Sequence, residues 1–581
     1  MYPTKSYGKV DESEQAILES RRKTRRRITI IALSTIVLVA VVCAAVLGSV
    51  AHNNGNNEDD NNNIALSNSV KAVCDVTLYK ETCYSSLSAL VHSSGKGQVL
   101  DPEELFFFSV KVALAEVSRA SQHFNGQFGN FKRLLNNGTN QRAQEALNNC
   151  QDLLGLTIDH LNSSLGYSWQ KFSLDDNLDD LKTWLSAAGT YQEACIDGLV
   201  DEGNESLKTS IVSYLKNSTQ LTSNSLAIVT WINKAVTTIN LNKRRRRLLS
   251  LWNSNGRKLL LQNNNDYLKV KADIVVAKDG TAKYKTISAA LKHVPEESQK
   301  RTVIYVKKGI YYENVRVEKN KWNVMIIGDG MNATIVSGSL NFVDGTPTFS
   351  TATFAVFGRN FIAREIGFRN TAGPQKHQAV ALLTTADQAI YYRCLIDGFQ
   401  DTLYVQANRQ FYRECNIYGT VDLIFGNSAV VIQNSNIVPK VPMQGQQNTI
   451  TAQGKSDPNM NTGISIQNCS IAPSSADLNS VQTYLGRPWK NYSTTVFMQS
   501  TIQSFIDPKG WLPWVGNSAP DTIFYAEFQN IGPGSSTKNR VNWKGVKSAI
   551  NNKQANLFTV KEFISGDRWI PATSAPFKSS L

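Results

Sequence analysis

Apolar and polar residues alternate in two different ways along the chain, and the change falls near residue 262. Over residues 64–240, apolar side chains recur at steps of three and four, the spacing that places them on one face of a helix. Proline is almost absent there, Pro102 being the single one. We therefore predict an all-α bundle of several amphipathic helices. One clear apolar face consists of Leu178, Leu181, Trp184, Leu185 and Ala188.

After residue 262, short β-rich runs are separated by Asn, Gly and Asp. Two pairs of segments echo one another: YYRCLIDG (391–398) with FYRECNIYG (411–419), and IQNSNI (432–437) with IQNCSI (466–471). A repeat of about 21 residues made of strands and tight turns is typical of a parallel β-helix or another solenoid. A Greek-key sandwich is the alternative, but it does not explain the regular echo. We predict an all-β parallel β-helix over residues 263–581.

The N-terminus predicts the compartment. Residues 28–50 carry no charge and are long enough to cross the hydrocarbon core of a bilayer. Basic residues clustered just before them should keep residues 1–27 in the cytosol. We predict a transmembrane signal anchor at residues 28–50, with a cleaved signal peptide as the alternative. A polar, disordered stalk follows at residues 51–63, and the rest of the chain is then lumenal or extracellular.

Other signals agree with a secretory protein. Of eight cysteines, Cys43 lies in the apolar segment and seven would face an oxidising space. Cys74 with Cys83, and Cys150 with Cys195, make two disulfides in the helical region plausible, and an odd total leaves at least one thiol free or paired between chains. Seven Asn-x-Ser/Thr acceptors for glycosylation follow residue 50: Asn137, Asn162, Asn204, Asn217, Asn332, Asn468 and Asn491.

Two basic runs occupy the predicted linker, residues 241–262: KRRRRLL (243–249) and RKLL (257–260). A solvated charge run is the simplest interpretation. An exposed basic stretch between two domains of a secretory protein is also where a processing protease cuts. We therefore predict processing at Arg244–Leu249 or Arg257–Leu260.

The charge indicates an anionic partner. The formal net charge is +14, and residues 263–581 hold 33 Lys and Arg against 22 Asp and Glu, a difference of +11. A domain this basic favours a polyanion, either nucleic acid or an acidic polysaccharide. No nucleic-acid-binding module is recognisable, so we expect no nucleic-acid partner.

The repeat brings polar residues into register. Gln378, Gln400 and Asp422 are spaced 22 and 22 residues apart, and Asp401 follows Gln400. If one coil has that length, these side chains stack at about 4.8 Å. The alternative is a ladder of polar side chains that only forms hydrogen bonds with backbone groups at the turns. Two carboxylates can nevertheless divide acid and nucleophile roles, amides can donate to an oxyanion, and an arginine can hold a nucleophilic carboxylate. The chain has no G-x-S-x-G serine elbow.

The region from about Val275 to Pro571 resembles the plant pectin methylesterases. Five motifs in order carry the resemblance: GIYYE (309–313), HQAVAL (377–382), QDTLY (400–404), DLIFG (422–426) and LGRPW (485–489). The resemblance implies a right-handed parallel β-helix that removes methyl groups from methyl-esterified pectin (homogalacturonan), releasing methanol and free carboxylates. It implies no cofactor and no metal.

The resemblance also implies roles at matching positions. Asp422 is similar to the family's nucleophile, and Asp401 to the proton donor that then serves as base. Gln400 and Gln378 are similar to the oxyanion donors, with Gln378 also a substrate contact. The substrate-binding side chains that it implies are Thr348, Gln378, Arg487, Trp489, Phe425 and Tyr404.

Two departures from the family pattern occur. Phe399 stands where Tyr is usual, and Leu423 where Phe is usual. We expect both to touch the cleft walls and to alter substrate pattern or rate while leaving the acid and base in place. We also expect a Cys394–Cys415 disulfide between neighbouring coils, with Cys469 as the odd thiol.

The helical region resembles the pectin methylesterase inhibitor domain, a disulfide-bonded four-helix bundle, on LDDLKTWLSAAGTYQEACIDGL (178–199) and the four cysteines named above. This implies a proenzyme whose own bundle covers the cleft in cis or aids folding until processing, before export to the cell wall. A passive folding or stalk domain is the alternative.

Three other functions are alternatives to methyl-ester hydrolysis. Pectate lyase and polygalacturonase chemistry need a calcium-binding acid cluster or several acids around one glycosidic oxygen, which the amides and aromatics near Asp401 and Asp422 do not supply. A catalytically silent pectin-binding or inhibitor protein is the third, and the intact set of Asp401, Asp422, Gln378, Gln400 and Arg487 argues against it.

Overall fold

The computed structural model describes residues 68–93, 101–135, 141–166, 174–200, 205–247 and 271–581. The predicted tail, signal anchor and stalk (residues 1–63) and the second basic run (257–260) lie outside these ranges. None of the helices within the ranges combines the length and hydropathy needed to cross a bilayer. The described helices and strands belong to one compact unit.

The helical region is a bundle, as predicted. Helices α2 to α5 pack in a closed ring, and α1 lies against α2 and α5. The predicted face of α4 is confirmed, because Leu178, Leu181, Leu185 and Ala188 are fully buried, whereas Trp184 is half-buried. Residues 68–74 are also helical. The bounds are α1 (Lys80–Ser93), α2 (Pro102–Leu135), α3 (Gln141–Leu165), α4 (Leu174–Val200) and α5 (Glu205–Arg247).

Two disulfides fasten the helical region, and both pairings were predicted: Cys74–Cys83 and Cys150–Cys195, the latter joining α3 to α4. Helix α5 continues past the predicted boundary at residue 240 to Arg247 and includes the first arginines of the basic linker. Arg and Lys are good helix formers, so a basic run does not end a helix by itself.

Residues 271–581 form a parallel β-helix with three sheets of eleven, seven and eight strands, and each complete coil adds one strand to each sheet. All the paired strands are parallel. The first sheet contains β1 (Ile274–Val276), β2 (Thr302–Val306), β5 (Val324–Ile327), β8 (Ile362–Arg364), β11 (Ala389–Tyr392), β14 (Arg409–Arg413), β17 (Ala429–Gln433), β20 (Gly463–Gln467), β23 (Thr494–Met498), β25 (Phe524–Phe528) and β26 (Val546–Lys547).

The second sheet contains β4 (Val315–Val317), β7 (Phe354–Val356), β10 (Leu382–Thr384), β13 (Leu403–Val405), β16 (Ile424–Gly426), β19 (Asn448–Gln453) and β22 (Thr483–Gly486). The third contains β3 (Gly309–Tyr312), β6 (Thr334–Gly338), β9 (Gly367–Asn370), β12 (Leu395–Asp397), β15 (Asn416–Gly419), β18 (Asn436–Pro439), β21 (Ser470–Ile471) and β24 (Thr501–Ile502). Three short helices flank the coils: α6 (Ile287–Leu291), α7 (Asn552–Asn556) and α8 (Val560–Ile564).

The sequence echoes are stacked coils. Tyr391 pairs with Tyr412, and their rings stack with centroids 4.7 Å apart and planes within 8°. Gln433 likewise pairs with Gln467. Equivalent side chains lie above one another because a parallel ladder keeps paired residues in register, so like residues form continuous columns in the core. The predicted β-helix is confirmed.

The predicted Cys394–Cys415 disulfide is not formed. Both residues are buried free thiols, as is Cys469. The Sγ of Cys394 lies 3.5 Å from the Ala363 carbonyl oxygen, and that of Cys415 lies 3.4 Å from the Tyr391 carbonyl oxygen, so each thiol has an acceptor. Parallel side chains on adjacent coils keep about the 4.8 Å strand spacing, which exceeds the roughly 3.8 Å between Cβ atoms that a disulfide needs.

Candidate active site

Asp401 and Asp422 lie beside each other on adjacent coils at the edge of the second sheet. Leu403 pairs with Ile424, so each aspartate precedes its strand by two residues, and the Asp401 N–H donates to the Val421 carbonyl at 3.0 Å. Both aspartates have left-handed backbone, with φ of 61° and 50°. This sharp corner turns both carboxyl groups to the same side of the coil.

The predicted stack of Gln378, Gln400 and Asp422 is therefore wrong in its register. These coils advance by 21 residues, as the pairing of Leu382 with Leu403 shows, so Asp422 stacks on Asp401. All four polar residues still line one cavity of about 460 Å³. The two glutamines enter it from neighbouring coils, because the Ala379 N–H donates to the Gln400 carbonyl.

Arg487 binds Asp422 through two parallel hydrogen bonds. Its Nε donates to Oδ1 at 2.8 Å and an Nη donates to Oδ2 at 2.6 Å. The side chains of Asp422 and Arg487 are 7% and 22% exposed, so solvent screens the pair only weakly. Burial acts to lower the pKa of Arg487, but the hydrogen bonds and charge of Asp422, with the charge of Asp401, raise it above its ordinary value. The guanidinium therefore remains charged.

Two further residues support this pair, and sequence reasoning missed both. The Thr449 hydroxyl donates to Asp422 Oδ1 at 2.7 Å and accepts from the Asp422 N–H at 2.9 Å. The Trp514 ring lies 4.3 Å from the guanidinium carbon of Arg487, on the cavity wall. Thr449 lies in line with Asp422 on the next coil, but that coil advances by 27 residues, as the pairing of Ile424 with Thr451 shows, so a fixed period of 21 does not find it. Trp514 lies outside the paired strands.

An aromatic wall continues from the carboxylates. Tyr404 and Phe425 stack at 4.2 Å, and Phe425 lies 6.2 Å from Trp489. A Cβ on Gly454 would approach the Trp489 ring to 2.7 Å, so only glycine lets this ring lie flat on the coil. Thr348 also lines the cavity, at the start of the 3₁₀ segment Thr348–Thr351.

The two departures from the family pattern lie elsewhere than predicted. Leu423 is fully buried in the β-helix core and does not reach the cleft wall. Phe399 is not among the residues lining the cavity, and its ring lies 3.7 Å from the Lys440 ammonium group. Within the described residues, no cluster of His, Cys, Asp or Glu is suited to hold a metal ion.

The helical bundle closes the same cavity. Residues of α3 and α4, among them Asn149, Cys150 and Asp197, line it together with the aspartates. Asp197 accepts a hydrogen bond from Lys490 at 2.6 Å, and Asn149 donates to the Ser350 hydroxyl at 2.8 Å. Apolar side chains of both parts form a single cluster there.

A second buried contact lies at the corner between the second and first sheets, at the start of β14. The side chain of Arg409, which is 4% exposed, donates two hydrogen bonds to Asp387 in its own domain and a third to Asp180 of α4 at 2.7 Å. Beside it, Asn408 Nδ2 contacts both the Tyr191 hydroxyl and His160 Nε2. The bundle therefore contacts the β-helix through charged and neutral hydrogen bonds as well as apolar packing.

Comparisons with known proteins agree with this geometry. Residues 273–567 match the family model described as Pectinesterase, and residues 68–228 match Plant invertase/pectin methylesterase inhibitor. Pectinesterase/pectinesterase inhibitor 24 of Arabidopsis thaliana is 56% identical over 99% of each chain. Pectinesterase 3 of Phaseolus vulgaris is 47% identical over 88% of this chain and 87% of its own. Among solved structures, the carrot pectin methylesterase is 51% identical, with a TM-score of 0.53 over 54% of this chain and 99% of its own.

Proposed function

The chain belongs to the pectinesterase family and hydrolyses the methyl esters of pectin; we propose that it does so through a covalent intermediate on Asp422. One observation carries the proposal. Asp422 is held by both donors of Arg487 in the cavity where Asp401 stacks on it. A nucleophile fixed in this way beside a second carboxyl group can work without serine or metal.

Asp422 and Asp401 supply the nucleophile and the proton transfers that both steps of the reaction need. An oxygen of Asp422 attacks the C6 carbonyl carbon of a methylated galacturonate, while Asp401 protonates the methoxy oxygen, which leaves as methanol. The product is a mixed anhydride between Asp422 and the sugar acid. Asp401, now a carboxylate, removes a proton from water, and the water attacks the C6 carbon. Asp422 leaves as a carboxylate, and Asp401 is again protonated.

The remaining cavity residues support these steps in the proposal. The side-chain amides of Gln378 and Gln400 donate to the oxyanion that forms at the carbonyl oxygen. The aromatic wall of Tyr404, Phe425 and Trp489 packs against sugar rings, whose C–H faces suit it. Thr348 contacts the neighbouring sugar. Arg487 compensates the charge of Asp422 and fixes its plane.

Trapping the intermediate tests the mechanism. The assay starts from the full chain, which folds intact and is then cut at a protease site placed between residues 248 and 262. The helical part is removed at high salt. We call the remaining product the released catalytic part. We expect Asp401→Asn to reduce kcat by at least about 10²-fold. Hydroxylamine added during turnover should yield a sugar hydroxamate in the parent. Turnover without any hydroxamate would favour direct attack by water.

We also propose that the helical bundle inhibits the enzyme in cis. Its residues form part of the wall of the cavity that holds both aspartates, and its Asp197 pairs with Lys490, next to the aromatic wall. Processing in the basic linker then frees the cleft, and the enzyme acts in the cell wall, where its substrate lies. Anchoring of the precursor through residues 28–50 completes this proposal. A bundle that serves only folding would leave the uncut chain fully active.

His160 gives the cis contact a dependence on pH. The Leu156 carbonyl can only accept, so Nδ1 carries the proton and Nε2 accepts from Asn408. Burial lowers the pKa of His160, against the opposing charges of Asp387 and Asp159. The docked state therefore binds fewer protons, so the contribution of His160 to docking is fully present above the ordinary pKa of 6.5 and is lost as pH falls from there toward the lowered pKa.

We therefore expect self-inhibition of the uncut chain to weaken as pH falls from about 7 to 5. Compared with the self-inhibition of uncut His160→Gln, it should weaken by up to roughly tenfold per pH unit. The measurement is the activity of each uncut chain divided by that of the released catalytic part at the same pH. Burial raises the pKa of Asp180, Glu193 and Asp197, but both chains share these groups, so their effect cancels in the comparison. Parallel pH profiles for the two chains would contradict the assignment.

A further inference from the structure

The loop between β18 and β19 supplies a glutamine that contacts the proposed oxyanion donor. Gln446 Nε2 donates to Gln400 Oε1 at 3.3 Å, and both side chains are half-buried. Nothing in the mechanism above uses Gln446. The contact matters because the two ends of a glutamine amide have nearly the same shape and opposite hydrogen-bonding character.

A tight turn fixes the side chain of Gln446. The Gln446 N–H donates to the Met443 carbonyl at 3.0 Å, closing four residues, and Gly445 has φ of +85°, which the third position of a type II turn requires. Across the same turn the Met443 N–H donates to Gln446 Oε1 at 3.3 Å. A backbone N–H can only donate, so the atom that faces it must be the amide oxygen. The NH₂ end of Gln446 therefore points the other way.

The orientation of Gln446 determines that of Gln400. The NH₂ group of Gln446 faces Gln400, so Gln400 must present its oxygen to Gln446. The NH₂ group of Gln400 is then free to donate elsewhere, and Gln400 lines the cavity with Asp401 and Asp422. We propose that Gln446 is a positioning residue, which orients the amide of Gln400 so that it offers its N–H, and not its oxygen, to the oxyanion.

This inference rests on the proposed role of Gln400 and can be tested apart from it. In Gln446→Glu a carboxylate still accepts from Met443 but can no longer donate to Gln400. The Gln400 amide then turns its NH₂ toward the charge, a strong hydrogen bond, and its oxygen toward the oxyanion. We expect kcat of the released catalytic part to fall about 10- to 100-fold, with KM changed less than about twofold.

Two further measurements separate orientation from loss of structure. Below pH of about 4.3 the carboxyl group introduced by Gln446→Glu gains a proton and can donate again, so kcat relative to the parent should recover. The double variant Gln400→Ala/Gln446→Glu should be no slower than Gln400→Ala, because the side chain that Gln446 orients is already gone.

Gln447→Glu is the matched control. It makes the same change of charge on the next residue, whose amide donates to Gln482 rather than Gln400, and should change kcat by less than about twofold. Gln446→Leu, which has no polar atom, should lose only about two- to tenfold, since the amide is then unbiased. If Gln400→Ala lowers kcat but Gln446→Glu matches Gln447→Glu, or if the losses in the double variant add, the inference is wrong. An unchanged Gln400→Ala would refute the oxyanion role and the inference with it.

Discussion

Replacing Asp422 by asparagine should lower kcat for methanol release from methylated pectin by at least about 10⁴-fold, as removal of a covalent nucleophile does elsewhere. Asparagine keeps the shape of the side chain and one acceptor for Arg487, so the cleft should retain its form. The amide cannot attack the ester, and no other carboxyl group takes its place, since Asp401 is needed as acid and base. The measurement is methanol release by the released catalytic part of parent and variant.

A second aspartate serves as the control for this substitution. Asp397 also accepts hydrogen bonds from two basic residues, Arg369 at 2.8 Å and Lys440 at 2.9 Å, but it does not line the cavity. Asp397→Asn should lower the melting temperature about as much as Asp422→Asn while changing kcat less than about twofold. Equal losses of activity in the two variants would mean that the nucleophile effect is a folding effect. Substantial activity left in folded Asp422→Asn would overturn the covalent mechanism.

The sequence predicted the fold well because like side chains pair between adjacent coils, so the coil repeat appears as repeated residues in the chain. Tyr391 over Tyr412 and Gln433 over Gln467 are both visible as echoes in the chain. The register of the site was harder to predict. The spacing of Gln378, Gln400 and Asp422 suggested a coil of 22 residues, whereas the coil advances by 21. An error of one residue exchanges the two faces of a strand, so periodicity alone paired the wrong side chains.

The residues that periodicity missed lie where coils differ in length. Thr449 reaches Asp422 from a coil that advances by 27 residues, and Gly463 pairs with Ala429 across 34. Arg487 was assigned by resemblance alone, because nothing in the spacing relates it to Asp422. Leu423 was expected on the cleft wall, yet it lies in the core although its neighbour Asp422 faces the cavity, because successive residues of extended chain point to opposite sides. Inserted loops hide such contacts from any fixed period.

The uncut chain should release methanol about 10³-fold more slowly than the released catalytic part. A tethered bundle has an effective concentration near 1 mM, and a docking affinity of about 1 µM would leave roughly one enzyme in a thousand open. Apolar packing between Tyr191 and the second sheet, the Arg409–Asp180 hydrogen bond and the Lys490–Asp197 pair together make docking of this strength reasonable. Methanol release before and after cutting between residues 248 and 262 measures the ratio.

Charge reversal at the cavity distinguishes a cis inhibitor from a bundle that merely lies nearby. Lys490 and Asp197 are 23% and 25% exposed. Reversing one charge of such a pair weakens docking by about 2 kcal/mol or more. Uncut Asp197→Lys should therefore be about 30-fold more active than the uncut parent. Asp152 also pairs across the contact, with Arg316 at 3.1 Å, but the two are 52% and 39% exposed, and such pairs contribute little. Asp152→Lys should therefore raise activity less than about threefold. Both uncut variants must reach the same activity as the parent once cut. If the uncut parent is already as active as the cut enzyme, the bundle does not inhibit in cis, and its contacts with the second sheet serve folding alone.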